Sequence, residues 1–568
     1  MKWNSEKTER ILWILAVSLA LALRLIRLGA APLTDWEAGN ALPIFDWLRS
    51  GVLPSGSQAG YTLFSGLMAY LFGVSNFAAR FIPALVGSLL VLSPLLFRRQ
   101  LGRWPALIAA FGLAIDPALV AISRQADGGI WAIAFTLFGL GFLLHRRPVW
   151  AGVALGLALL GGPALWIGWL SLGAALLINF RRLASDSRVE TSGASAWQTQ
   201  RNTVLLSAGI TLAAAGTLFF FAPFGLSMAL QSIPDFLHQW TQTGMLDLRS
   251  AAMALICYAT FPLVLGIIQA VQGWTRKNAV DQFLSVWLIL ALMLWFACPG
   301  RQISFAGWIM LPLWALAARQ AAGWLRKPIF DIRFTAATAL VVFVLLFFII
   351  LNAVAILHPA GWSAQTEIQI IKIVVAVVLL GLSILLVGWG WNWDAAGEGV
   401  QWGFGAALLI ILLSMSIHAS GLSKRPEAEL LRSGAYNADA DLVQSTLRDL
   451  STHKTGQFHQ LQIAVVGIDS PALKWLLRDD ANVQYSDSIS SMESPDVIIT
   501  NDQIQPGQVS TYRGQDFVWT RRPAWGQMDG VNWMQWLVFR ETPDTNSKII
   551  LWARTDLFPG ESAAETTP

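Results

Sequence analysis

Long apolar runs separated by short polar connections occupy the first three quarters of the chain. A run of about 20 apolar residues can cross the hydrocarbon core of a bilayer as a helix. The pattern therefore predicts a polytopic α-helical membrane protein with about 13 transmembrane helices, at residues 11–28, 77–97, 104–122, 129–145, 149–162, 164–180, 203–223, 251–272, 282–298, 303–320, 333–356, 368–391 and 400–418.

The charge of the connections predicts the side of the membrane on which each one lies, because cytoplasmic loops carry an excess of Lys and Arg. With a cytoplasmic N-terminus, five of the six connections on that side are basic, among them 98–103 (RRQLGR), 145–148 (HRRP) and 274–278 (WTRKN). An odd number of helices then places everything after residue 419 outside. We expect a multi-pass protein of the plasma membrane with an extracytoplasmic C-terminal domain.

Two shorter apolar stretches, 38–50 and 60–72, follow the first run. They are too short to span a bilayer but apolar enough to lie along its surface. We therefore predict a transmembrane domain over 1–419, with interfacial helices in 36–73 that could roof a cavity on the outer face.

The pattern changes at about residue 420. A helical pattern at 426–450 is followed by the strand candidates LQIAVVG, NVQYSD, PDVIITN, QDFVWTR and KIILWART, with a second helical segment, SPALKWLLRDD, after the first of them. Strands alternating with helices predict a soluble α/β domain over 420–568. This part has 13 Lys and Arg against 19 Asp and Glu, and the preceding part has 26 against 16. A basic membrane part with an acidic tail gives no support for nucleic-acid binding.

Overall composition agrees with a membrane protein. The chain has 568 residues, of which 55% are hydrophobic and 13% charged, whereas soluble domains are about half apolar and about one quarter charged. The two cysteines, Cys257 and Cys298, both lie in apolar runs. A disulfide framework and a cysteine-rich zinc site are therefore excluded as the basis of the fold.

Ionisable side chains near a membrane are costly and usually functional. Asp35 and Glu37 lie in the first outer loop (PLTDWEAGNAL, 32–42). A purely structural interpretation fits them as well: if a helix begins near Trp36, Asp35 caps it and Glu37 lies in its first turn, where the helix dipole favours negative charge.

Among the other ionisable residues of the outer face, three are further candidates, each with a structural alternative. Asp127 lies in the second outer loop, three residues after Arg124, and the two could form an ion pair on one helix face. Arg301 lies in a short outer turn and could extend to lipid headgroups. Carboxylates from two loops, with guanidinium groups nearby, suit a reaction in which a neutral nucleophile loses a proton and the leaving group is anionic. Glycosyl transfer from a sugar linked to polyprenyl phosphate has this form.

The sequence resembles the GT-C superfamily of lipid-sugar-dependent glycosyltransferases, and within it the protein O-mannosyltransferase and aminoarabinose-transferase group. The resemblance rests on the acidic first loop followed by EA, on NFAARFIPALVGSLLVLSPLLFRRQLG and on PALVAISRQAD, and it covers roughly residues 11–320. The tail motifs PALKWLLRD, PDVIITN, YRGQDFVWTRRPAW and ILWAR look more narrowly like the bacterial and archaeal flippase-activity-associated proteins.

The resemblance implies a role for each candidate residue. The first-loop acid would be the general base that deprotonates the acceptor hydroxyl, with inversion at the sugar. Relatives have adjacent Asp and Glu before Ala; here Glu37 takes the Glu position and Trp36 that of the Asp, so Asp35 and Glu37 are both candidates. Asp127 matches the second-loop acid, with Arg124 beside it, and Arg301 matches a basic residue that contacts the lipid phosphate.

We therefore expect a transferase of the hexosyl or mannosyl type that takes a polyprenyl-phosphate sugar as donor and a hydroxyl group of a protein, lipid or glycan as acceptor. Some members of the superfamily use a divalent cation, Mg²⁺ or Mn²⁺, and others do not, so the metal stays undetermined. Two alternatives stay open: a transporter or flippase of lipid-linked sugars, and an inactive scaffold. An enzyme should bring Asp35, Glu37, Asp127 and Arg301 to one outer cavity, whereas a transporter should place its polar residues near the midplane.

Overall fold

The structure is a computed structural model that describes residues 5–186, 194–244, 246–326, 331–356, 364–423, 425–487, 494–504 and 511–558. Residues up to 419 are almost entirely helical. The helices of this part are α1 (Ser5–Leu25), α2 (Asp35–Ser50), α3 (Ala59–Phe72), α4 (Asn76–Leu89), α5 (Ser93–Leu96), α6 (Arg98–Leu101), α7 (Arg103–Ile115), α8 (Pro117–Ser123), α9 (Gly129–Leu144), α10 (Pro148–Ala158), α11 (Ala164–Asp186), α12 (Ala194–Gly216), α13 (Phe224–His238), α14 (Leu248–Tyr258), α15 (Thr260–Thr275), α16 (Ala279–Ala297), α17 (Ala306–Arg326), α18 (Ile332–Ile356), α19 (Ala364–Gly390) and α20 (Trp393–Ala419).

Every predicted membrane run coincides with a helix or with a pair of consecutive helices. By length and apolar composition, five of the described helical segments qualify as membrane spans, and up to seven qualify if two bent pairs each count as one. The predicted number of 13 is therefore not confirmed. Some of the predicted spans are short: α10 has 11 residues, which at 1.5 Å per residue cover about half of a hydrocarbon core.

The two bent pairs interrupt runs that the sequence presents as continuous. Helices α7 and α8 meet at 56°, because Pro117 forces the preceding Asp116 into an extended conformation and Asp116 then caps α8 through the Leu119 amide. Helices α14 and α15 meet at 85°. The span predicted over 251–272 therefore consists of two helices and is not confirmed as a single membrane crossing.

Helices α2 and α3 confirm the two short helices predicted between the first and second spans. Helix α2 begins one residue earlier than expected, because its N-cap is Thr34, whose side chain accepts from the Glu37 amide while the Glu37 carboxylate accepts from the Thr34 amide. This reciprocal capping box satisfies two of the free amides at the helix start. The prediction that Asp35 caps this helix is therefore wrong.

The chain from residue 436 onward forms a six-stranded mixed sheet in the order β1-β5-β6-β4-β2-β3. The central strands β2 and β4 are parallel, as are β2 and β3, and the other pairs are antiparallel. The elements of this part are β1 (Tyr436–Asn437), α21 (Ala440–Thr455), β2 (Gln462–Val466), α22 (Pro471–Leu476), β3 (Asn482–Ser486), β4 (Val497–Asn501), β5 (Tyr512–Pro523), α23 (Gly530–Phe539) and β6 (Asp544–Arg554).

All five predicted strands are present in this α/β fold, and the predicted helix at 426–450 starts only at Ala440. Pro426 and Gly434, the latter with φ +91°, favour turns over a helix between the last membrane helix and the sheet. The boundary at residue 420 stays a prediction, although α20 ends at Ala419.

The C-terminal domain packs on helix α2. One apolar cluster contains Ala38 and Ile44 of α2, Leu473 of α22, and Ile463 and Val465 from one face of β2. The other face of β2 belongs to a separate cluster, as the alternation of side chains along a strand requires. The loops beside α2 are therefore held between the membrane part and the sheet.

Candidate active site

The loops that the sequence assigns to one face do meet around the start of α2. Asn40 donates to the Ala126 carbonyl at 2.9 Å. Gln125 donates to the Leu431 carbonyl at 2.7 Å and accepts from the Ser433 amide at 3.0 Å. The first loop, the second loop and the chain entering the C-terminal domain are therefore joined by buried hydrogen bonds.

Glu37 is buried in an ion pair. Its two carboxylate oxygens lie 2.6 and 2.7 Å from Nε and Nη2 of Arg80 on α4, and one of them also accepts from the Ala126 amide at 3.2 Å. Burial alone would raise the pKa of Glu37, but the Arg80 guanidinium outweighs it and the pKa lies below the ordinary value. A carboxylate held in this way is a poor proton acceptor.

Asp35 faces the C-terminal domain. Its Oδ1 accepts from the Ser470 hydroxyl at 2.5 Å and from the Ala472 amide at 3.0 Å, at the N-terminus of α22. Asp35 therefore helps to cap a helix after all, but that helix is α22. The side chain is partly buried in this contact and does not line either of the two cavities described below.

Asp127 lies in the loop between α8 and α9, and 6% of its surface is exposed. Its Oδ1 accepts from the Gly129 amide at 2.9 Å. Burial raises the pKa of Asp127 above the ordinary aspartate value, and the hydrogen bonds around it offset only part of that effect. Between these described residues the predicted Arg124–Asp127 ion pair does not form, because Nη1 of Arg124 donates to the carbonyls of Leu23, Arg24 and Ile26 at the end of α1.

Arg301 is buried in the turn between α16 and α17 and is not extended toward lipid headgroups. Its Nε, Nη1 and Nη2 donate to the carbonyls of Trp295, Leu246 and Phe296 at 3.3, 2.9 and 3.1 Å. A guanidinium group has five N–H donors, so two are left after these three bonds. The side chain is rigidly placed and can still bind an anion.

Asp127 and Arg301 line the same cavity, which has a volume of about 460 Å³. Other polar and aromatic residues on its wall include Trp36, Gln58, Tyr61, His238 and a second carboxylate, Asp235. Small-molecule sites commonly have volumes of about 300–1,000 Å³. We call this the first cavity.

Glu37 and Arg124 line a second cavity, which has a volume of about 400 Å³. The hydrogen-bonded segments that contain Gln125, Ala126 and Ser433 separate it from the first cavity. The expected convergence of Asp35, Glu37, Asp127 and Arg301 on one cavity is therefore only partial. The structure brings Asp127 together with Arg301, and it separates both from Glu37 and Asp35.

Sequence reasoning missed Arg80, which neutralises Glu37. The signal was available, because Arg80 is an arginine inside the apolar run NFAARFIPALV, where an ionised group needs a partner. It also missed Arg432 as a residue of the second cavity. Arg432 lies far from the acids in sequence, and no local motif marks it.

The parts of the chain that the structure describes contain no group of three or more His, Cys, Asp or Glu residues placed to hold a metal ion. Asp127 is the one predicted acid on the wall of the first cavity. The prediction of Mg²⁺ or Mn²⁺ stays untested.

The fold of the chain is similar to that of solved membrane-protein structures. ArnT from Cupriavidus metallidurans matches in the apo state with a TM-score of 0.56 and 14% identity, over 96% of this chain and 99% of that chain. The same protein bound to undecaprenyl phosphate matches with a TM-score of 0.55 and 13% identity over the same shares. The chain has the fold of ArnT, which is the GT-C fold.

The archaeal oligosaccharyltransferase of Archaeoglobus fulgidus matches with a TM-score of 0.43 and 14% identity, over 86% of this chain and 64% of that chain. That likeness is too distant for a comparison of sites. No family model and no curated protein sequence matches the chain. The GT-C fold expected from the sequence is thus confirmed, and the narrower likeness of the tail to flippase-activity-associated proteins stays a prediction.

Proposed function

We propose that the protein is a membrane glycosyltransferase that moves a sugar from a polyprenyl-phosphate donor to a hydroxyl acceptor in the first cavity. The observation that carries the proposal is the presence of a buried carboxylate, Asp127, and a buried guanidinium, Arg301, on the wall of one cavity. The GT-C fold supports it, since the similar ArnT structure holds a polyprenyl phosphate.

Asp127 is the general base in this proposal. The acceptor oxygen attacks the anomeric carbon, its proton passes to the Asp127 carboxylate, and the bond between the sugar and the phosphate oxygen breaks with inversion. A base works best when its pKa approaches the working pH. Burial raises the pKa of Asp127 in that direction, whereas Arg80 lowers the pKa of Glu37.

Arg301 stabilises the leaving group. The lipid phosphate gains negative charge as the glycosidic bond breaks, and two N–H groups of Arg301 are left to bind it. The guanidinium is already oriented by three backbone carbonyls, so little reorganisation accompanies the transition state. The charge of the connections supports placing this face outside the cell.

The test uses the purified protein in lipid nanodiscs with radiolabelled polyprenyl-phosphate sugars, mannose among them, and a panel of hydroxyl acceptors. We expect turnover by the wild type and a loss of about 10²- to 10⁴-fold for Asp127→Asn, the usual effect of a general base. Asp247→Asn is the matched control, because Asp247 is an exposed N-cap of α14 and Asn caps equally well. Absence of turnover with every donor, or full activity of Asp127→Asn, would overturn the proposal.

One observation favours an inactive scaffold as a second candidate. Trp36 occupies the position at which the resembling family has an acid, and its side chain lines the first cavity. The nanodisc assay separates the two candidates, because a scaffold shows no donor turnover in the wild type.

A further inference from the structure

The second cavity has an excess of positive charge. It lies between the end of α1, the region around Arg80 and Arg124, and residues 419–436, which lead into the sheet. Its charged lining residues are four arginines and two glutamates: Arg27, Arg80, Arg124, Arg432, Glu37 and Glu429. It shares no lining residue with the first cavity.

Both glutamates of this cavity are already engaged. Glu37 is paired with Arg80 through both oxygens. One oxygen of Glu429 accepts from the Tyr258 hydroxyl at 2.5 Å, and the other lies 4.0 Å from Arg540, outside the cavity wall. Among the described residues, no carboxylate forms an ion pair with Arg27, Arg124 or Arg432. Three guanidinium groups are thus left without a carboxylate at ion-pair distance among the described residues, although Glu37 attracts Arg124 and Arg432, and Glu429 attracts Arg432, over a longer range.

Arg432 is positioned for an anion. Its guanidinium lies over the Tyr436 ring at 5.1 Å, which fixes its plane. Its Nη1 is buried and has no hydrogen-bond partner among the described residues. A buried donor without a partner costs stability unless a ligand or water satisfies it.

Arg124 is held by the three carbonyls at the end of α1, all of which accept from Nη1. Burial and the nearby Arg80 and Arg432 lower the pKa of Arg124 to about 10. Like charges gathered in one partly buried cavity repel one another, and a bound dianion removes that repulsion.

The wall of the cavity includes residues at the ends of two long apolar helices, α1 and α20. Arg27 is exposed two residues after α1 ends, and its φ of +53° is uncommon for a residue with a side chain. Ala419 at the end of α20 lies on the same wall. The end of a membrane helix lies near the lipid headgroups, so a cavity at this position suits a lipid phosphate as well as a free phosphate.

We propose that this cavity is a second anion site, which binds a phosphate monoester or diphosphate through Arg27, Arg124 and Arg432. Guanidinium groups bind phosphate oxygens through charge-assisted, often bidentate hydrogen bonds. The site is independent of the transferase proposal, because Asp127 and Arg301 do not line it.

The experiment measures binding to the full-length protein in detergent by calorimetry in two arms: one with inorganic pyrophosphate, and one with short-chain phosphatidic acid against short-chain phosphatidylcholine. We expect at least a tenfold loss of affinity for Arg432→Gln and for Arg27→Gln. Arg27 is exposed, so that variant decides the result if Arg432→Gln does not fold. The matched control is Arg478→Gln, because Arg478 also stacks on an aromatic ring, Trp475 at 4.5 Å, but lies on α22's side of the C-terminal domain, away from the cavity.

Binding in the first arm only identifies a free phosphate as the ligand, and binding in the second only identifies a lipid phosphate. Either result supports the site if Arg27→Gln or Arg432→Gln weakens it and Arg478→Gln does not. Absence of binding in both arms, or equal affinity of wild type and arginine variants, overturns it. Asp127→Asn should bind as tightly as the wild type, so failure of this proposal and failure of the transferase proposal are distinguishable.

Discussion

Glu37 and Arg80 form a buried ion pair, and removal of one partner leaves the other charge without compensation. Glu37→Gln should therefore destabilise the protein by about 3–5 kcal/mol, the usual cost of an unpaired buried charge. Chemical denaturation in detergent measures the loss. The double variant Glu37→Gln with Arg80→Gln should recover part of it, whereas additive losses would contradict the pairing.

The same pair predicts a pH dependence. The pKa of Glu37 is lower in the folded protein than in the unfolded chain, so its stabilising effect is complete above the unfolded pKa. It is lost progressively as the pH falls through the ordinary glutamate range toward the lower folded value, because the unfolded chain takes up the proton first. Thermal unfolding between about pH 5 and about pH 3 should show a steeper loss for the wild type than for Glu37→Gln. Parallel curves for the two proteins would contradict this assignment.

At the residue scale, the sequence could supply candidate side chains but not the contacts that each one makes. Glu37, Asp127 and Arg301 are all buried in the structure, and their functional roles stay predictions. The partners of Glu37 and Asp35 could not be predicted, since Arg80 lies 43 residues away and Ser470 lies 435 residues away along the chain. Such contacts depend on tertiary packing, which no local spacing encodes.

At the scale of elements, the carboxylate of Asp35 connects α2 to the start of α22. Asp35→Ala removes the acceptor of the Ser470 hydroxyl and the Ala472 amide, at a cost of about 1–3 kcal/mol for buried donors left unsatisfied. We expect faster hydrogen exchange over residues 471–476, measured by mass spectrometry. Asp35→Asn keeps an acceptor oxygen and should stay close to wild type.

The Asp35→Ala variant also tests whether Asp35 is the general base that the family resemblance implies. If Asp35→Ala abolishes donor turnover while exchange over 471–476 is unchanged, Asp35 is a catalytic residue and the contact with α22 is secondary. Slower turnover in step with faster exchange assigns it to the docking of the C-terminal domain.

Helices and strands with a strong local sequence pattern were predicted closely. Those whose formation depends on packing against other parts of the fold were not. The strand β4 matches PDVIITN because a run of buried β-branched residues favours a central strand. Helix α23 was missed: its apolar residues, among them Trp533 and Trp536, are packed against one another and the membrane part, and the stretch GVNWMQWLVF has no clear polar face in sequence. The bend between α14 and α15 lies at Ala259, three residues before Pro262 in the first turn of α15, so the sequence did contain a signal for a helix break that the continuous apolar run obscured.

At the scale of the whole molecule, the overall organisation followed from hydropathy and charge, because a bilayer constrains a chain more simply than a packed core does. The order of helices and the α/β tail were predictable in this way. The division of the polar face into two cavities was not, since it depends on where residues 425–433 run between the two outer loops.

The orientation of the chain is the last property that the charge pattern predicts, and thiol labelling tests it directly. The two native cysteines are buried, so an impermeant maleimide should find little background. Ser445→Cys places a thiol on an exposed position of α21, and Arg276→Cys places one on an exposed position of the basic connection after α15. In intact cells we expect labelling of Ser445→Cys alone, and in permeabilised cells labelling of both. Labelling of Arg276→Cys alone in intact cells would reverse the orientation, and it would put the first cavity on the cytoplasmic side, where the donor sugar would have to be presented from the opposite leaflet.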